Sequence, residues 1–513
     1  MDLATAMAWT AERHPDRRAV GGSRPMTYRQ WDAHTNQLAR ALVELGVRRG
    51  DRVALSLAGG EPLASLHLAA QKVGAVSVPL STRLSPVELA YCLGDAAPAL
   101  LVTDASTVPT LDAVDDGVRS GDLLHRDVGE IGAERQPDGA LGAPPSEDDT
   151  SVMLYTSGTT GRPKGVPRSH RAEHTAAVAH LVQTQLRQGE VVLGVMPMFH
   201  TMGLRSLLAS IVCGGTWVPQ AKFDAAESVR LIRDEGVTAL YLVPTIYWSL
   251  LREEGFDATA GIDRLAYAGA AMTPALAEQL VATLRPQALV NHYGSTEIYT
   301  FSIGPEGARK PGCAGRAGIF SRLRLVEPYV GAPSDAVVGP GEQGQVIVSM
   351  ASPEAFAGYW KRPDADEKSI RDGWYYTGDL ATADEEGDLW VAGRVDDMIN
   401  SGGENIYPDE IEAALIRCRA VADVCVVGMP HERWGSAVTA FVVPADDMAP
   451  ADALRELERY LPGPSGLSSL QRPKRVVAVS AIPRSAVGKT LRRTLAAGDY
   501  ESLAELELGG TRA

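Results

Sequence analysis

Residues 156–165 hold the densest set of groups in the chain that could bind phosphate. The run reads TSGTTGRPKG and follows the apolar stretch SVMLY. Hydroxyls, cations and the backbone N–H groups of a glycine-rich loop are the donors that surround a polyphosphate. A Walker A loop is excluded, because the GK[ST] sequence at Gly488-Lys489-Thr490 has Pro483 where that motif needs glycine. The candidate phosphate-binding residues are Thr156, Ser157, Gly158, Thr159, Thr160, Gly161 and Lys164.

Two further polar segments could complete a nucleotide site. NHYGSTE, residues 291–297, comes directly after an apolar run and offers an aromatic ring, two hydroxyls and a carboxylate. These groups could stack a base, bind a phosphoryl oxygen and hold Mg²⁺ through Glu297. A polar turn after a strand is the alternative interpretation. WYYTGD ends at Asp379, which could accept hydrogen bonds from two ribose hydroxyls but, taken alone, is typical of a turn.

A longer run, GRVDDMINSGGENIYPDEIE at residues 393–412, has the composition of a hinge. Two adjacent acids stand near Arg394, and the pair Gly402-Gly403 permits close backbone approach. Near the other end of the tail, Lys489 follows a glycine and precedes a basic stretch. A lysine in such a setting is usually a solvated cation.

The elements that would position these segments alternate between strand and helix. Apolar residues at spacings of four and three over 31–45 predict a helix that ends at Gly46. Short apolar strands separated by helix-length stretches predict a parallel sheet covered by helices. These strands are residues 52–57, 75–79 and 100–103. Residues 104–149 are polar and are expected to form a surface connection.

A second strand and helix series covers 191–243 and 288–291, and alternating segments at 321–326 and 344–348 predict a small antiparallel unit. The tail has a helix that begins at Pro408, a buried strand over 422–428 and a charged, helical end. The predicted class is α/β: a large N-terminal domain of two βα subdomains plus a small antiparallel β unit, and a small C-terminal α+β domain. The predicted boundaries are 1–394 for the first domain, 395–397 for a hinge and 398–513 for the second.

Composition excludes several classes of protein. The 513 residues carry 49 basic and 64 acidic side chains, a net charge of −15 that repels nucleic acid. No segment reaches the roughly 18 uncharged residues of a membrane span, and no secretory signal is present, so we expect a cytoplasmic protein. Five scattered cysteines without a CxxC pair suggest neither a disulfide framework nor a zinc site. Monomer and homodimer both remain open.

Taken together and in this order, the segments closely resemble the adenylate-forming enzymes, which include acyl- and aryl-CoA synthetases, nonribosomal adenylation domains and beetle luciferases. The resemblance covers nearly the whole chain and extends to GVRRGDRV at 46–53 and PLSTRLSPVEL at 79–89. It is strongest with the 4-chlorobenzoate and benzoate CoA ligases, through VVLGVMPMFH at 191–200, the 393–412 run, and QRPKR and GKTLRR in the tail.

This resemblance implies two half-reactions with ATP, Mg²⁺ and coenzyme A. The carboxylate of an acid attacks the α-phosphate to give an acyl-adenylate and pyrophosphate, and the CoA thiol then displaces AMP. A carboxylate is already ionised at neutral pH, so the first half needs charge compensation and in-line alignment and no general base. By the family's pattern, residues 156–164 hold the β- and γ-phosphates. The other implied nucleotide contacts are Tyr293 on adenine, Thr296 at the α-phosphate, Glu297 on Mg²⁺, Asp379 and Arg394 on the ribose, and Gly269 and Gly294 beside them.

The resemblance also implies that the C-terminal domain is mobile. Lys489 would bridge the attacking carboxylate and the α-phosphate, and Asp396 would be the hinge between the two half-reactions. Rotation about that hinge would remove Lys489 and bring the segment Gly402-Gly403 to a CoA tunnel. The CoA nucleotide would lie near Trp434, Arg472 and Lys474, although Leu470 stands where the chlorobenzoate-type enzymes have an aromatic residue.

The acyl pocket follows from the same resemblance, with His200 as a mobile gate. Its other implied lining residues are Ala179, Thr201, Met202, Tyr241, Ala268, Gly269, His292 and Tyr299. Ala179 replaces a phenylalanine of the chlorobenzoate-type enzymes and His292 replaces an aliphatic residue, which makes the pocket roomier and more polar. A substituted or bicyclic aromatic acid therefore suits it better than benzoate, with His292 pairing with a ring substituent.

Four other functions share these motifs. A stand-alone adenylation enzyme that loads a carrier protein would have every ATP motif, and a fatty or alicyclic acyl-CoA synthetase differs only in its pocket. A luciferase-like enzyme is disfavoured because the sequence ends in TRA and not in a peroxisomal SKL. An inactive nucleotide-binding regulator would be expected to lack Lys489 or Glu297, and both are present.

Overall fold

The structure, a computed structural model, describes residues 1–114, 123–156, 163–259, 261–397, 399–401, 404–431, 435–469, 471–484 and 490–508. Its α-helices are, in chain order, α1 (Leu3–Arg13), α2 (Tyr28–Glu44), α3 (Glu61–Val73), α4 (Pro86–Ala96), α5 (Val108–Asp112), α6 (His170–Gln183), α7 (Thr201–Val212), α8 (Ala225–Glu235), α9 (Pro244–Leu250), α10 (Pro274–Leu284), α11 (Pro363–Ser369), α12 (Pro408–Leu415), α13 (Pro450–Tyr460) and α14 (Arg492–Ala496). None of these helices is long and apolar enough to cross a membrane.

The strands alternate with these helices through the first half of the chain. They are β1 (Arg18–Val20), β2 (Met26–Thr27), β3 (Arg52–Ser56), β4 (Val76–Pro79), β5 (Leu100–Thr103), β6 (Leu124–Asp127), β7 (Thr150–Thr156), β8 (Lys164–Ser169), β9 (Val191–Gly194), β10 (Thr216–Pro219), β11 (Ala239–Leu242), β12 (Arg264–Ala268), β13 (Ala288–Tyr293), β14 (Ser302–Gly304), β15 (Arg316–Ala317), β16 (Leu323–Val326), β17 (Gln343–Ser349), β18 (Ile370–Arg371), β19 (Trp374–Ala383), β20 (Leu389–Arg394), β21 (Ile399–Ser401), β22 (Glu404–Ile406), β23 (Val421–His431), β24 (Gly435–Pro444), β25 (Arg475–Ala478) and β26 (Ala504–Glu507).

The chain divides into two compact units. One comprises Met1–Arg324, Ile347–Tyr376 and Asp384–Trp390, and the other comprises Leu325–Val346, Thr377–Ala383 and Val391–Ala513. The α/β class predicted from the sequence is confirmed. The boundary proposed at 395–397 stays a prediction.

The first sheet of the larger unit has the strand order β6-β5-β3-β4-β7-β8. Strands β3, β4 and β5 pair in parallel, which confirms the predicted βα pattern. Helix α2 also forms as predicted, begins with a capping box between Thr27 and Gln30, and buries Trp31 in the apolar core, where its indole N–H donates to the Ser65 hydroxyl of α3 at 2.9 Å. Two details differ from expectation. The segment 104–149 contains α5 and a sixth strand, β6, and the chain returns from the phosphate loop as β8 before helix α6. Pro167 is tolerated in β8 because this strand lies at the edge of the sheet.

The second sheet of this unit has the order β15-β14-β13-β12-β11-β9-β10-β1-β2, with parallel pairing from β13 through β12 and β11 to β9. Ala268, the last residue of β12, pairs with His292 near the end of β13. The carboxyl ends of parallel strands meet at one edge of a sheet, where such folds bind ligands. The predicted acyl and adenine residues therefore converge at this edge.

The smaller unit is built on a sheet with the order β23-β24-β25-β26. Its apolar core is formed by this sheet together with α12 and α13. Helix α12 begins at Pro408 and β23 covers the predicted buried strand, as expected. The helical end expected after it is only partly found, because β26 follows the short helix α14 and pairs with β25.

The core of the larger unit contains a fully buried histidine. The Nδ1 atom of His67 lies 2.9 Å from the Ser77 hydroxyl, and its Nε2 atom lies 2.9 Å from the side-chain amide of Gln71. Burial lowers the pKa of His67 to about 3, from 6.5 for an ordinary histidine. In the folded protein the imidazole is therefore still neutral near pH 6.5, where the unfolded chain begins to bind a proton at this residue.

We predict that this histidine makes stability depend on pH. Between pH 6.5 and pH 3 the unfolded state binds one proton more than the folded state at His67, so stability is full above pH 6.5 and falls as the pH is lowered. His67→Gln should reduce the slope of unfolding free energy against pH by about one proton, or ~1.4 kcal/mol per pH unit. Urea unfolding from pH 7.5 to 5 measures this, and an unchanged slope would contradict it.

Candidate active site

The predicted phosphate loop is the connection of an antiparallel hairpin. Strands β7 and β8 pair with Thr156 opposite Lys164, so these two residues stand at the two ends of the loop. Ser157, Gly158, Thr159, Thr160 and Gly161 lie outside the described residues. The structure thus brings together the two ends of the candidate phosphate site, and the roles of these residues remain predictions.

Tyr359 joins the predicted phosphate-binding lysine to the predicted magnesium ligand. The Lys164 ammonium lies 3.9 Å from the centroid of the Tyr359 ring, and the Tyr359 hydroxyl donates a hydrogen bond of 2.7 Å to Glu297. Burial, followed by the charge of Glu297, raises the pKa of this hydroxyl, so it remains a donor. The backbone N–H of Trp360 donates to the Gly165 carbonyl at 2.9 Å and anchors the segment beside β8.

Tyr359 was not among the site residues predicted from the sequence. The signal was present in FAGYWK at 356–361, where two aromatic residues adjoin a lysine in a glycine-containing turn. Tyr359 belongs to no strand pattern and to no phosphate motif. Its role becomes visible only when the fold places it against Lys164 and Glu297.

Glu297 lies in a tight turn that requires a glycine at its start. A Cβ atom on Gly294 would lie 2.0 Å from the Tyr299 carbonyl oxygen, so no side chain fits there. The Ser295 hydroxyl accepts hydrogen bonds from the N–H groups of Glu297 (3.2 Å) and Ile298 (3.4 Å). This turn holds Thr296 and Glu297 in a defined position after β13.

A buried ion pair holds the turn at Thr296 and Glu297 in place. Arg168 and Glu173 are hydrogen-bonded to each other and neither side chain has any exposed surface. The second guanidinium edge donates to the carbonyls of Thr296 (3.1 Å) and Glu297 (3.2 Å). The guanidinium also lies 3.5 Å from the centroid of the Tyr299 ring, whose hydroxyl donates to Glu173 at 3.2 Å. The position of the turn therefore depends on β8 and α6.

Tyr293, the predicted adenine-stacking residue, ends β13 and is half-buried. Its ring meets that of the buried Phe301 edge to face, with centroids 5.1 Å apart and an angle of 81° between the planes. The N–H of Phe301 donates to the Tyr293 carbonyl at 2.9 Å. The ring is thus supported on one side by the chain that follows the turn.

The predicted acyl residues converge on the ends of β11, β12 and β13. Met202, Tyr241 and Ala268 belong to one buried apolar cluster. Ala179 is fully buried on α6, Thr201 begins α7, and Gly269 directly follows β12. Tyr241 lies in ring contact with His292 at 5.9 Å and with His180 at 4.6 Å. His180 is an addition to the predicted set.

His200, the predicted gate, precedes helix α7 as its N-cap residue. Burial lowers the pKa of His200 to about 4, so the imidazole is neutral at physiological pH. Its Nε2 atom has no hydrogen-bond partner among the described residues. Gating remains a prediction for this residue.

His292 is held by protein groups on its polar edge. Arg205 donates a hydrogen bond to its Nε2 atom, and the Thr300 hydroxyl lies 3.1 Å from the same atom. Burial, then the neighbouring Arg205 and His180, lower the pKa of His292 far below its ordinary value. Its predicted contact with a ring substituent stays untested, and the imidazole is already hydrogen-bonded to Arg205.

The two predicted ribose residues meet in the smaller unit. Arg394 donates to Asp379 at 2.6 Å and to the Thr377 carbonyl at 3.2 Å. The intervening Gly378 has φ +77°, and a Cβ there would lie 2.7 Å from the Arg394 guanidinium. A glycine is required for this close approach. The carboxylate and guanidinium are therefore preorganised beside each other.

The predicted hinge residue, Asp396, lies in a short 3₁₀ turn, Val395–Asp397. Its neighbour Asp397 pairs with Arg492 at 3.3 Å, and Arg492 also donates to Glu412 at 2.9 Å and pairs with Asp409. Burial lowers the pKa of Arg492, but Glu412 and Asp409 more than offset this and raise it above its ordinary value. Lys489, Gly402 and Gly403 lie outside the described residues.

Two of the three predicted CoA-contacting residues can be described. Arg472 donates to the carbonyls of Leu467 (3.1 Å) and Pro462 (3.2 Å), and Lys474 donates to the Ser469 carbonyl at 2.9 Å. Both cations therefore brace their own loop. Trp434 and Leu470 lie outside the described residues, and CoA binding stays a prediction.

Two protein-family models match most of the chain. The family model of the AMP-binding enzymes matches residues 7–360, and that of the AMP-binding enzyme C-terminal domain matches 410–489. The chain is 33% identical to 4-chlorobenzoate–CoA ligase of Arthrobacter over 503 residues, covering 95% of this chain and 94% of the relative. It is 33% identical to a long-chain-fatty-acid–CoA ligase of Mycobacterium tuberculosis over 480 residues, covering 92% of each.

A solved structure gives the same likeness. That of o-succinylbenzoate CoA synthetase from Bacillus subtilis, in complex with its acyl-adenylate intermediate, matches with a TM-score of 0.84 at 28% identity. The match covers 96% of this chain and 98% of that one.

We predict that the Arg168–Glu173 pair stabilises the larger unit only as a pair. Arg168→Met should cost about 3–5 kcal/mol of unfolding free energy because it leaves Glu173 buried without its partner. The double variant Arg168→Met, Glu173→Leu should lose less than the single one. Urea unfolding measures both, and Arg230→Met, which breaks only exposed ion pairs on α8, is the control with an expected loss below about 1 kcal/mol. Equal losses in the single and double variants would refute the prediction.

Proposed function

Since this chain belongs to the AMP-binding enzyme family, we propose that it is an ATP-dependent acid–thiol ligase that joins a carboxylic acid to coenzyme A through an acyl-adenylate. The observation that carries this proposal is that Tyr359 contacts both Lys164 and Glu297 at the end of the β7–β8 hairpin where the phosphate loop connects the two strands. It sets a cation and a carboxylate a fixed distance apart, which suits a magnesium nucleotide. The relatives named above are themselves CoA ligases.

In the first half-reaction the residues of the chain bind and align. Lys164, at the end of the phosphate loop, offsets negative charge on the β- and γ-phosphates, and Tyr293 supports the adenine ring. Thr296, held by the turn after β13, faces the α-phosphate. The attacking carboxylate is ionised, so alignment and charge compensation supply the rate acceleration.

A magnesium ion fits the carboxylate donor that the turn provides. Mg²⁺ commonly takes only one or two protein carboxylates and completes its shell with phosphate and water oxygens. Glu297 is a single acid of this kind, and the described residues contain no cluster of three or more His, Cys, Asp or Glu that would form an all-protein site. When bound, the ion would neutralise phosphate charge, and Tyr359 orients the carboxylate for it.

The smaller unit is proposed to complete both half-reactions. Asp379 accepts hydrogen bonds from the ribose hydroxyls and Arg394 orients it, as their 2.6 Å contact supports. Lys489 contacts the attacking carboxylate and the α-phosphate. Asp396 is the hinge. The residue after it, Asp397, forms an ion pair with Arg492, which lies three positions after Lys489.

The second half-reaction uses the other proposed groups of this unit. Gly402 and Gly403 line the path of the CoA thiol, and Trp434, Arg472 and Lys474 contact the CoA nucleotide. Because ATP and CoA are drawn from the cytoplasm, we place the enzyme there.

An aromatic acid is the substrate class that the pocket favours. Its wall combines Tyr241, Tyr299 and the rings of His180 and His292 with small residues, including Ala179 and Ala268. Flat rings pack well against such a wall, since aromatic contacts add about 0.5–1.5 kcal/mol to the burial of the ring. A long-chain acid, as in the name of the mycobacterial relative, is the alternative outcome of the test.

The test is an ATP–pyrophosphate exchange assay with a panel of aryl, alicyclic and fatty acids, followed by thioester analysis with CoA. We expect exchange with an aromatic acid and a CoA thioester as product. Lys489→Ala should lower exchange by roughly 10²- to 10³-fold while it still converts supplied acyl-adenylate to the thioester. Equal loss in both halves would refute the assignment of Lys489, and absence of exchange with every acid would refute the function.

We predict that Tyr359 positions Glu297. Tyr359→Phe removes one hydrogen bond to a charged acceptor, which is worth about 1.5–3 kcal/mol, so kcat/KM for MgATP should fall roughly 10- to 100-fold. The Mg²⁺ concentration for half-maximal rate should rise. Tyr247→Phe is the matched control, because that buried hydroxyl donates only to the carbonyls of Leu240 and Ala266 among the described residues. If both variants show the same Mg²⁺ dependence, Tyr359 has no such role.

A further inference from the structure

Arg205 is a buried cation whose hydrogen-bonding capacity is only partly used. It lies on α7 with 2% of its surface exposed, five residues after His200. Its Nη1 atom donates to His292. Its Nε and Nη2 atoms have no hydrogen-bond partner among the described residues. Buried donors without partners are rare and costly in folded proteins, so these two require an explanation.

The two unpartnered atoms form one edge of the guanidinium. Nε–H and one Nη2–H point in parallel directions, and this is the edge that grips a carboxylate through two hydrogen bonds at once. The remaining edge is the one that His292 occupies. A planar anion with two oxygens is therefore the group that matches the free edge.

The neighbouring charges leave this cation without a direct partner. Glu173 is committed to Arg168. Glu354, also buried, accepts a 3.0 Å hydrogen bond from the Thr300 hydroxyl, and its other oxygen is unpartnered among the described residues. Glu354 nevertheless lies near Arg205, because the charge of Arg205 opposes the rise in the pKa of that carboxyl that burial causes. His292 is neutral, as its lowered pKa requires.

The free edge belongs to the wall of the proposed acyl pocket. The guanidinium carbon of Arg205 lies 4.7 Å from the centroid of the Tyr299 ring. The Tyr241 hydroxyl lies beside the guanidinium: burial raises the pKa of this hydroxyl, and Arg205 opposes that rise through both its charge and a side-chain interaction. Met202, on the same helix, lies in the apolar cluster with Tyr241. The guanidinium therefore lies among residues that are proposed to line the pocket.

We propose that Arg205 binds a second carboxylate of the substrate, at the end remote from the carboxylate that is activated. The substrate is then a dicarboxylic acid. This inference rests on the proposed function, since it assigns the substrate class of that same site. In this proposal Arg205, and not His292, makes the polar contact with the substrate. His292 holds the guanidinium in place by accepting a hydrogen bond from Nη1.

The experiment compares acids of equal shape that differ in charge. Terephthalate is paired with 4-nitrobenzoate and isophthalate with 3-nitrobenzoate, because a nitro group is planar and has two oxygens but is neutral. Adipate and hexanoate make an aliphatic pair. In the best pair, the wild-type enzyme should favour the dicarboxylate by roughly 10- to 100-fold in kcat/KM for pyrophosphate exchange.

Variants of Arg205 then test whether this side chain is responsible. Arg205→Met should abolish the preference or reverse it, and Arg205→Lys, which keeps the charge but loses the paired donors, should retain part of it. Arg264→Met is the matched control, because Arg264 is also a buried arginine but donates to Gln185 and Gln287 at the opposite end of β12. This control should leave the preference unchanged.

The outcomes separate the two proposals. Exchange with no acid at all in the wild-type enzyme would overturn the proposed function and the dicarboxylate together. Exchange that is as efficient with the nitro acids as with the dicarboxylates would overturn the inference alone, as would an equal loss for all acids in Arg205→Met. If Arg205→Met does not fold, the wild-type preference within the pairs decides.

Discussion

The buried ion pair between Arg168 and Glu173 is the interaction on which the site depends. A charge without exposed surface is tolerated when it is paired with an opposite charge and hydrogen-bonded, because desolvation of an ion costs several kcal/mol. Arg168 donates to Glu173 and to the carbonyls of Thr296 and Glu297, and only its Nη2 atom has no hydrogen-bond partner among the described residues. The need to satisfy one cation thus fixes the turn that carries the proposed magnesium ligand, and strand β8, where Arg168 lies, is also the strand that begins at Lys164.

Charge compensation is the common theme of the residues around that turn. Lys164 and Glu297 both contact Tyr359, which presents its ring face to the cation and its hydroxyl to the anion. Each contact uses a different part of one side chain, so the separation between the two charges is set by a rigid ring. Such a fixed arrangement suits a reaction in which the nucleophile is already ionised and the phosphates carry the charge that must be offset.

The sequence predicted features that depend on local pattern and missed those that depend on distant contacts. Helix α2 and the parallel strands β3 to β5 were expected from spacing, and the structure contains them. The convergence of Asp379 with Arg394 was implied by the family resemblance, and the two side chains are hydrogen-bonded. Strand β8 was not expected, because Pro167 and the glycines before it are typical of a loop, and only pairing with β7 makes it a strand. Tyr359 and Arg205 lie outside every motif, and their importance comes from residues more than 60 positions away that no periodicity connects to them.

Tyr299 occupies a position that constrains how this enzyme can change during evolution. One face of its ring lies on Arg168, its hydroxyl binds Glu173, and its carbonyl leaves room only for a glycine at position 294. The ring is also part of the proposed pocket wall, so replacing it to fit a new acid would disturb the turn beside the nucleotide. Ala179, Met202 and Ala268 lie on separate elements and are apolar, so they can vary without that penalty. New substrate ranges are therefore expected to arise through these three positions, while the lineage keeps its tyrosine.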